Sequence, residues 1–169
     1  QDALFRAAAT ALPARAVQGG ATRTGSVRAA LSAISDTDII LIHDAARPGL
    51  SETTIRALIE AVRGGATGVA PALPAADALQ RVGANNVVVE EIARENLLRV
   101  QTPQAFNAAA LRAAYAAIGN ATFADDLAVM RAHGGETKLI AGDPRLLKIT
   151  YPGDLEMLAR LLDDRFVSV

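Results

Sequence analysis

Strand-like and helix-like patterns alternate along the chain, and this alternation most constrains the fold. "DIILIH", residues 38–43, is a continuous apolar run, and "TGVAPAL", residues 67–73, is a second one. Such runs are typical of strands that a parallel sheet buries on both faces. Residues 51–65 lie between them with helical spacing, with Ser51 as a candidate N-cap and two glycines as the stop. The order predicts an α/β fold, a mostly parallel sheet with helices on both faces.

The flanking segments extend the alternation. Strands are also predicted at residues 14–18, in "TKLIAG" (137–142) and in "LLKIT" (146–150). Helices are predicted at residues 26–34, 107–118, 124–133 and 152–162. Ser26 is the candidate cap of the first of these helices, and Pro152 suits the first turn of the last.

Residues 77–100 interrupt this pattern. They contain short strand-like segments around Gly83-Ala84-Asn85-Asn86, a sequence typical of a turn. We expect an antiparallel β-arm that projects from a single domain, residues 1–169, and that makes contacts between two copies of the chain.

Composition excludes several classes of function. A chain of 169 residues, 51% of them hydrophobic, suits one domain with a sizeable core. The absence of cysteine excludes disulfides, thiolate catalysis and thiolate metal sites. The net charge of -1, from 17 basic and 18 acidic residues, gives no basic field for nucleic acid or an anionic membrane. The apolar runs are too short to span a bilayer and no secretory signal pattern is present, so we expect a cytoplasmic protein.

Asp44 and Arg47 follow the strand at residues 38–43 directly. In open α/β sheets, ligands bind beyond the carboxyl ends of the strands. A carboxylate there can bind Mg²⁺ together with substrate phosphates, and an arginine can bind a phosphate with two hydrogen bonds. The pattern also fits a turn closed by Asp44 with a solvated Arg47, so both interpretations stay open.

Other polar residues carry the same ambiguity. Lys148 lies in an apolar segment, where it either reaches the surface along its aliphatic stem or meets an anion. Arg94 lies in the arm and is either a solvated surface cation or a site residue. His43 is expected to pack or hydrogen-bond at the strand end. Asp125 and Asp126 open a helix, where carboxylates are favoured for structural reasons.

Two loops also suggest ligand contacts, although their sequences are less specific than the charged residues after the strands. "QTPQAF", residues 101–106, combines two amides with Thr-Pro and resembles a binding loop more than a connector. Gly19-Gly20 can admit a ligand close to the backbone, although a tight turn explains this pair as well. Neither a GxxxxGK[ST] nor a GxGxxG sequence is present, so no Walker loop or dinucleotide fingerprint is indicated.

In combination, "HDAARP", "TPQAF", "FADDLAVM" and "LLKITYPGDL" resemble the 2-C-methyl-D-erythritol 4-phosphate cytidylyltransferase family in order and approximate spacing. The resemblance runs from about Val17 to Leu162. It implies a Rossmann-like nucleotidyltransferase domain that is a homodimer through its arm. The implied reaction joins CTP and the sugar-alcohol phosphate of the non-mevalonate isoprenoid pathway and releases pyrophosphate. The related ribitol-phosphate cytidylyltransferases share much of the pattern.

The resemblance also implies the nucleotide-binding residues. Gly20 and Ser26 would contact the cytidine. Asp44 and Ala45 would lie beside the ribose and phosphates, with Asp44 as the ligand of Mg²⁺ and part of the catalytic group.

The resemblance places four residues on the side of the sugar phosphate. Arg47 would help to bind it, and Thr102 would shape its pocket. Lys148 and Arg94 would hold the incoming phosphate as a nucleophile and count as catalytic, with Arg94 reaching over from the partner subunit through the arm.

The sequence departs from the family in several places. No segment corresponds to the family's first strand and Gly-rich loop, which clamps the triphosphate. The chain is therefore interpreted as truncated at its N-terminus, and by itself it is expected to turn over its substrates only weakly.

Ala78 replaces a threonine of the family's Asp-Thr pair, which leaves ribitol phosphate open as the substrate. A non-catalytic, dimerising nucleotide-binding fragment is the third interpretation. The tail "DDRFVSV" is interpreted as the start of a linker to a fused cyclase domain.

Overall fold

The computed structural model describes residues 14–163. Within them the helices are α1 (Arg23–Ser32), α2 (Glu52–Arg63), α3 (Ala108–Ala117), α4 (Asp126–Ala132) and α5 (Asp154–Leu161). The strands are β1 (Ile39–Ile42), β2 (Gly68–Pro74), β3 (Leu79–Val82), β4 (Val88–Ile92), β5 (Leu98–Val100), β6 (Gln104–Asn107) and β7 (Thr137–Ala141). Short 3₁₀ turns occur at Ala84–Asn86 and Pro144–Leu146. In this described part of the chain, no helix combines the length and the apolarity that a membrane span requires.

The central sheet has the order β1-β6-β2-β7. Strand β5 also pairs with β2, beyond the part of β2 that pairs with β6. Strands β1, β2 and β7 run in one direction, while β5 and β6 run in the other. The predicted α/β class is confirmed, with most strands of the sheet parallel in direction. The reversed strand β6 lies between β1 and β2, where a loop was expected.

Helices cover both faces of this sheet. Successive residues of a strand point to opposite faces. Val69 of β2 packs with Leu58 and Val62 of α2, whereas the next residue, Ala70, belongs to a separate apolar cluster with Leu111 of α3. The two clusters therefore lie on opposite sides of the sheet, with α2 on one and α3 and α4 on the other.

Capping residues in the sequence predict the start of α2 correctly, but not the starts of α1 and α5. The side chain of Ser51 accepts a hydrogen bond from the Thr54 N–H and caps α2, as predicted. Helix α1 begins earlier than predicted because Thr22, and not Ser26, is its N-cap. Helix α5 begins after Gly153 rather than at Pro152.

Two predicted strands are wrong. Residues 14–18 form no regular structure and are exposed, so a short apolar pattern there finds no strand partner among the described residues. Within residues 146–150, Leu146 ends a 3₁₀ turn that Asp143 caps through the Arg145 N–H, and no strand follows. The Ile149 N–H then donates to the carbonyl of Ala46, so this segment bonds to the loop after β1 instead of joining a ladder.

The segment predicted as an antiparallel β-arm contains the hairpin β3–β4, which forms a two-stranded sheet of its own. Asn85 and Asn86 close it with positive φ angles of 56° and 58°, a conformation that asparagine tolerates better than most residues. Val87, Val88 and Val89 are each more than half exposed. A lone two-stranded hairpin is marginal in water, so this apolar surface would gain from a partner.

Candidate active site

Asp44 is the centre of a charged cluster at the carboxyl end of β1. A turn follows the strand directly. The Arg47 N–H closes this turn by donating to the Asp44 carbonyl at 2.9 Å. The Asp44 Oδ2 lies 3.2 Å from Lys148 Nζ and 3.7 Å from Arg47 Nε. One mostly buried carboxylate thus faces two cations, at the edge of the sheet where α/β proteins bind ligands.

Backbone contacts hold Lys148 in place. The Arg47 guanidinium donates to the Leu146 carbonyl at 2.7 Å, and the Ile149 N–H donates to the Ala46 carbonyl at 2.8 Å. These bonds attach the loop after β1 to both sides of Lys148. The lysine therefore projects from an extended loop, with its side chain half exposed.

Burial lowers the pKa of Arg47, and the nearby negative charge of Asp44 opposes that shift. The Arg47 Nε is buried and has no hydrogen-bond partner among the described residues. An unpaired buried donor is costly, and a bound anion would supply the missing acceptor.

Thr102 links the strand end to the neighbouring strand. Its hydroxyl oxygen accepts the Asp44 N–H at 2.9 Å and lies 3.1 Å from His43 Nδ1. The His43 Nε2 is 2.9 Å from the Arg47 carbonyl, which only accepts, so Nε2 carries the proton and Nδ1 accepts from Thr102. His43 is thus engaged in hydrogen bonds at the strand end, as expected.

We predict that Thr102→Val will lower both stability and activity. Valine keeps the shape of the side chain but leaves the Asp44 N–H and His43 Nδ1 without their common partner. The free energy of unfolding should fall by about 1–2 kcal/mol in urea titrations. Thr102→Ser keeps the hydroxyl and is the control. Equal stability and activity of Thr102→Val and the unchanged protein would show that this bridge is unimportant.

Gly20 and Ser26 contact each other at the start of α1. The Gly20 N–H donates to Ser26 Oγ at 3.1 Å. A Cβ at Gly20 would lie 2.8 Å from the backbone carbon of Gly25, so this close approach requires glycine. Ser26 closes the Gly19-Gly20 loop rather than capping the helix.

Arg23 is a residue that the sequence pattern did not single out. Its guanidinium lies 2.6 Å from Asp126, whose side chain is completely buried and also accepts the Tyr115 hydroxyl. Burial alone would lower the pKa of Arg23, but the hydrogen bond and charge of Asp126, with a smaller effect of Asp44, leave that pKa raised. Arg23 is therefore bound to the Asp126 network, and the Asp44 charge adds only a small effect on its pKa.

The two amides of "QTPQAF" serve the fold. The Gln104 carbonyl oxygen accepts the N–H groups of Asp126 and Leu127 at 3.1 Å each, which satisfies the N-terminus of α4. Gln101 makes a pair of hydrogen bonds with the backbone of Asp143. Both amides are thus engaged within the fold, and Gln101 also lines a cleft beside Asp44, so the interpretation of residues 101–106 as a ligand-binding loop stays a prediction.

A cleft of about 750 Å³ opens beside the Asp44 cluster. Arg47, Lys148 and Arg99 line it together with apolar side chains of β2 and α5. Arg94 does not line this cleft. Its guanidinium donates to the Ala76 carbonyl at the base of the hairpin.

The structure therefore brings Asp44, Arg47, Thr102 and Lys148 together, and it places Ala45 in the exposed turn between the first two. Within residues 14–163, no group of three or more His, Cys, Asp or Glu side chains could hold a metal ion. Asp44 alone suits a cation that takes most of its ligands from phosphates and water.

Comparison with known proteins identifies the relatives of this arrangement. Residues 1–163 match the family described as IspD: 2-C-methyl-D-erythritol 4-phosphate cytidylyltransferase. The chain belongs to this family. The IspD family match agrees with the resemblance carried by "HDAARP" and "LLKITYPGDL".

Individual relatives agree with the family match. A bifunctional enzyme IspD/IspF from Dinoroseobacter shibae is 47% identical over 92% of the chain, which spans 38% of that protein. A 2-C-methyl-D-erythritol 4-phosphate cytidylyltransferase from Nocardia farcinica is 45% identical over 89% of the chain, which spans 65% of that protein. The crystal structure of the Thermus thermophilus cytidylyltransferase superposes with a TM-score of 0.79 at 34% identity, covering 89% of this chain and 74% of that one.

Proposed function

We propose that the protein containing this chain is a cytidylyltransferase that joins CTP and 2-C-methyl-D-erythritol 4-phosphate in the non-mevalonate pathway of isoprenoid synthesis. The observation that carries the proposal is the cluster of Asp44, Arg47 and Lys148 at the carboxyl end of β1 in a member of the IspD family. Two cations and one carboxylate beside a cleft suit the binding and reaction of phosphates.

In the proposed reaction, a phosphate oxygen of the sugar alcohol attacks the α-phosphorus of CTP in line. A new phosphorus–oxygen bond forms, and the bond to the oxygen bridging to the β-phosphorus breaks. Pyrophosphate leaves with the electron pair. The attacking phosphate enters as an anion and needs no general base, which agrees with a His43 already engaged in hydrogen bonds.

Catalysis then rests on positioning and on charge. Lys148 and Arg47 would hold the incoming phosphate against the α-phosphorus and offset the repulsion between two anions. Thr102 would keep the Asp44 backbone in place through its hydroxyl. Gly20, Ser26 and Ala45 would border the nucleotide, where Gly20 is exposed and packs closely on the Gly25 backbone.

Asp44 would hold the Mg²⁺ ion. Its single carboxylate fits a cation shared with the triphosphate, because Mg²⁺ is commonly bound through one or two carboxylates and substrate phosphates. When bound, Mg²⁺ supplies neutralisation of the phosphate charge. Lys148 and Arg47 flank this carboxylate and orient it.

Arg94 and the hairpin belong to a proposed homodimer. The exposed valines of the hairpin offer an apolar surface to a second copy. Arg94, at the base of the hairpin and outside its own cleft, would then reach the phosphate bound by the partner subunit.

Fusion to a cyclase domain is a further proposal, which the bifunctional relative supports. A cytoplasmic location is also proposed, because it agrees with the nucleotide substrate.

The acceptor is tested by comparing two sugar phosphates. We expect the intact protein, with CTP and Mg²⁺, to show a kcat/KM for methylerythritol phosphate at least about tenfold above that for ribitol 5-phosphate. Pyrophosphate release measures both. The reverse preference would favour the ribitol-phosphate enzyme, which stays the second candidate because Ala78 replaces the threonine whose hydroxyl the family resemblance assigns to the sugar phosphate. No turnover with either acceptor would contradict both.

A further inference from the structure

The cleft beside Asp44 contains a third cation, to which the proposed chemistry assigns no role. Arg99 lies on β5, directly opposite Leu73 of β2 in the antiparallel pairing. Opposite residues in such a pair project from the same face of the sheet. Leu73 and Arg99 both line the cleft, and so do Arg47 and Lys148.

The charges around the cleft are not balanced by the protein. Asp44 contacts Arg47 and Lys148, and no other carboxylate among residues 14–163 forms an ion pair with either. Arg99 forms no ion pair and no side-chain hydrogen bond within the same described region, and it is exposed at the cleft. Three cations facing one cleft with a single contacting carboxylate leave an excess of positive charge, which a bound dianion would compensate.

The remaining walls restrict the size and character of that anion. Leu73, Leu147 and Leu161 contribute apolar surface on the sides next to the cations. A cleft of this kind suits a small molecule with a short carbon skeleton and a terminal phosphate. A bare inorganic anion would leave the apolar wall uncovered.

Neighbouring contacts fix the position of Arg99 relative to the catalytic cluster. The Gln101 N–H donates to the Pro71 carbonyl at 2.8 Å, and the Gln101 side chain makes two hydrogen bonds with the backbone of Asp143, next to the cleft-lining Pro144. One residue further, Thr102 bonds to Asp44. The end of β5 is thus tied to both the cleft wall and the cluster, so Arg99 projects from a fixed backbone.

We propose that Arg99 is a further binding residue for the phosphate of the acceptor, acting with Arg47 and Lys148 on the substrate side of the cleft. This inference rests on the proposed function. Arg99 makes its contribution to binding before and during the reaction alike, so it affects the KM for the acceptor rather than kcat.

The test is steady-state kinetics of Arg99→Ala in the intact protein, with CTP, Mg²⁺ and methylerythritol phosphate. We expect the KM for the acceptor to rise about tenfold, while kcat and the KM for CTP stay within about twofold. Arg99→Lys keeps the charge and should recover most of the affinity. Arg63→Ala, which removes an exposed arginine from the end of α2, is the matched control and should leave all constants unchanged.

The outcomes separate this inference from the function itself. If the unchanged protein turns over and Arg99→Ala leaves the KM for the acceptor unaltered, Arg99 is only a solvated surface arginine and the inference is wrong. An equal rise in the KM for CTP would also overturn it, because Arg99 would then act on the whole site. If the unchanged protein does not transfer cytidylyl groups to any sugar phosphate, the proposed function itself fails.

Discussion

Replacement of Lys148 by alanine is expected to lower kcat/KM by about two to three orders of magnitude, the usual loss when one preorganised charge donor is removed from a reacting centre. Lys148 Nζ lies 3.2 Å from Asp44 and lines the cleft, so the substitution removes a cation from the place where two phosphates must meet. The measurement is pyrophosphate release from CTP and methylerythritol phosphate.

Stability measurements separate this effect from unfolding. The Lys148 side chain is half exposed, so the melting temperature of Lys148→Ala should change little. Lys148→Arg keeps the charge but not the shape and should retain part of the activity. Activity of Lys148→Ala within about threefold of the unchanged protein would remove Lys148 from the proposed mechanism.

Replacement of Asp126 by alanine is expected to cause the largest loss of stability. The Asp126 side chain is 0% exposed and accepts hydrogen bonds from both Arg23 and Tyr115. Its removal leaves a buried hydroxyl and a partly buried guanidinium without their partner. Such losses cost about 3 kcal/mol, measurable by urea unfolding. Asp38→Ala, at an exposed position, is the control.

Tyr115 gives this network a pH signature. Burial raises the pKa of Tyr115 far above its ordinary value, and the hydrogen bond and charge of Asp126 raise it further. The folded protein then holds the phenolic proton more tightly than the unfolded chain, so stability should fall as the pH rises above about 10. In Asp126→Ala this alkaline loss should be smaller. An unaltered alkaline profile in that variant would contradict the network.

Elements defined by local signals were predicted well from the sequence. The apolar run before Asp44 forms β1, and Ser51 caps α2, because both depend on side chains within a few residues. Strand β6 was expected to be a loop. Its strand conformation depends on ladders with β1 and β2, which are distant in sequence and leave no local pattern.

The residues of the candidate site also fall into two groups, those with a local sequence signal and those placed by contacts distant in sequence. Asp44 and Arg47 were visible from their place after a strand. The position of Lys148 beside Asp44 depends on hydrogen bonds between the loop after β1 and the segment around Leu146, about a hundred residues later. The pattern in that segment predicted a strand and left a surface lysine and an anion contact both open, and the family resemblance favoured the site. Arg23 was missed because its partner Asp126 is equally distant in sequence.

Phosphorus NMR of the reaction mixture tests the central claim most directly. The intact protein is incubated with CTP, Mg²⁺ and methylerythritol phosphate, and all phosphorus-containing products are followed. The account predicts equal amounts of pyrophosphate and a cytidine diphosphate ester of the sugar alcohol, with almost no transfer by Lys148→Ala. Formation of CMP and pyrophosphate without consumption of the sugar phosphate, or of CDP and orthophosphate, would contradict it.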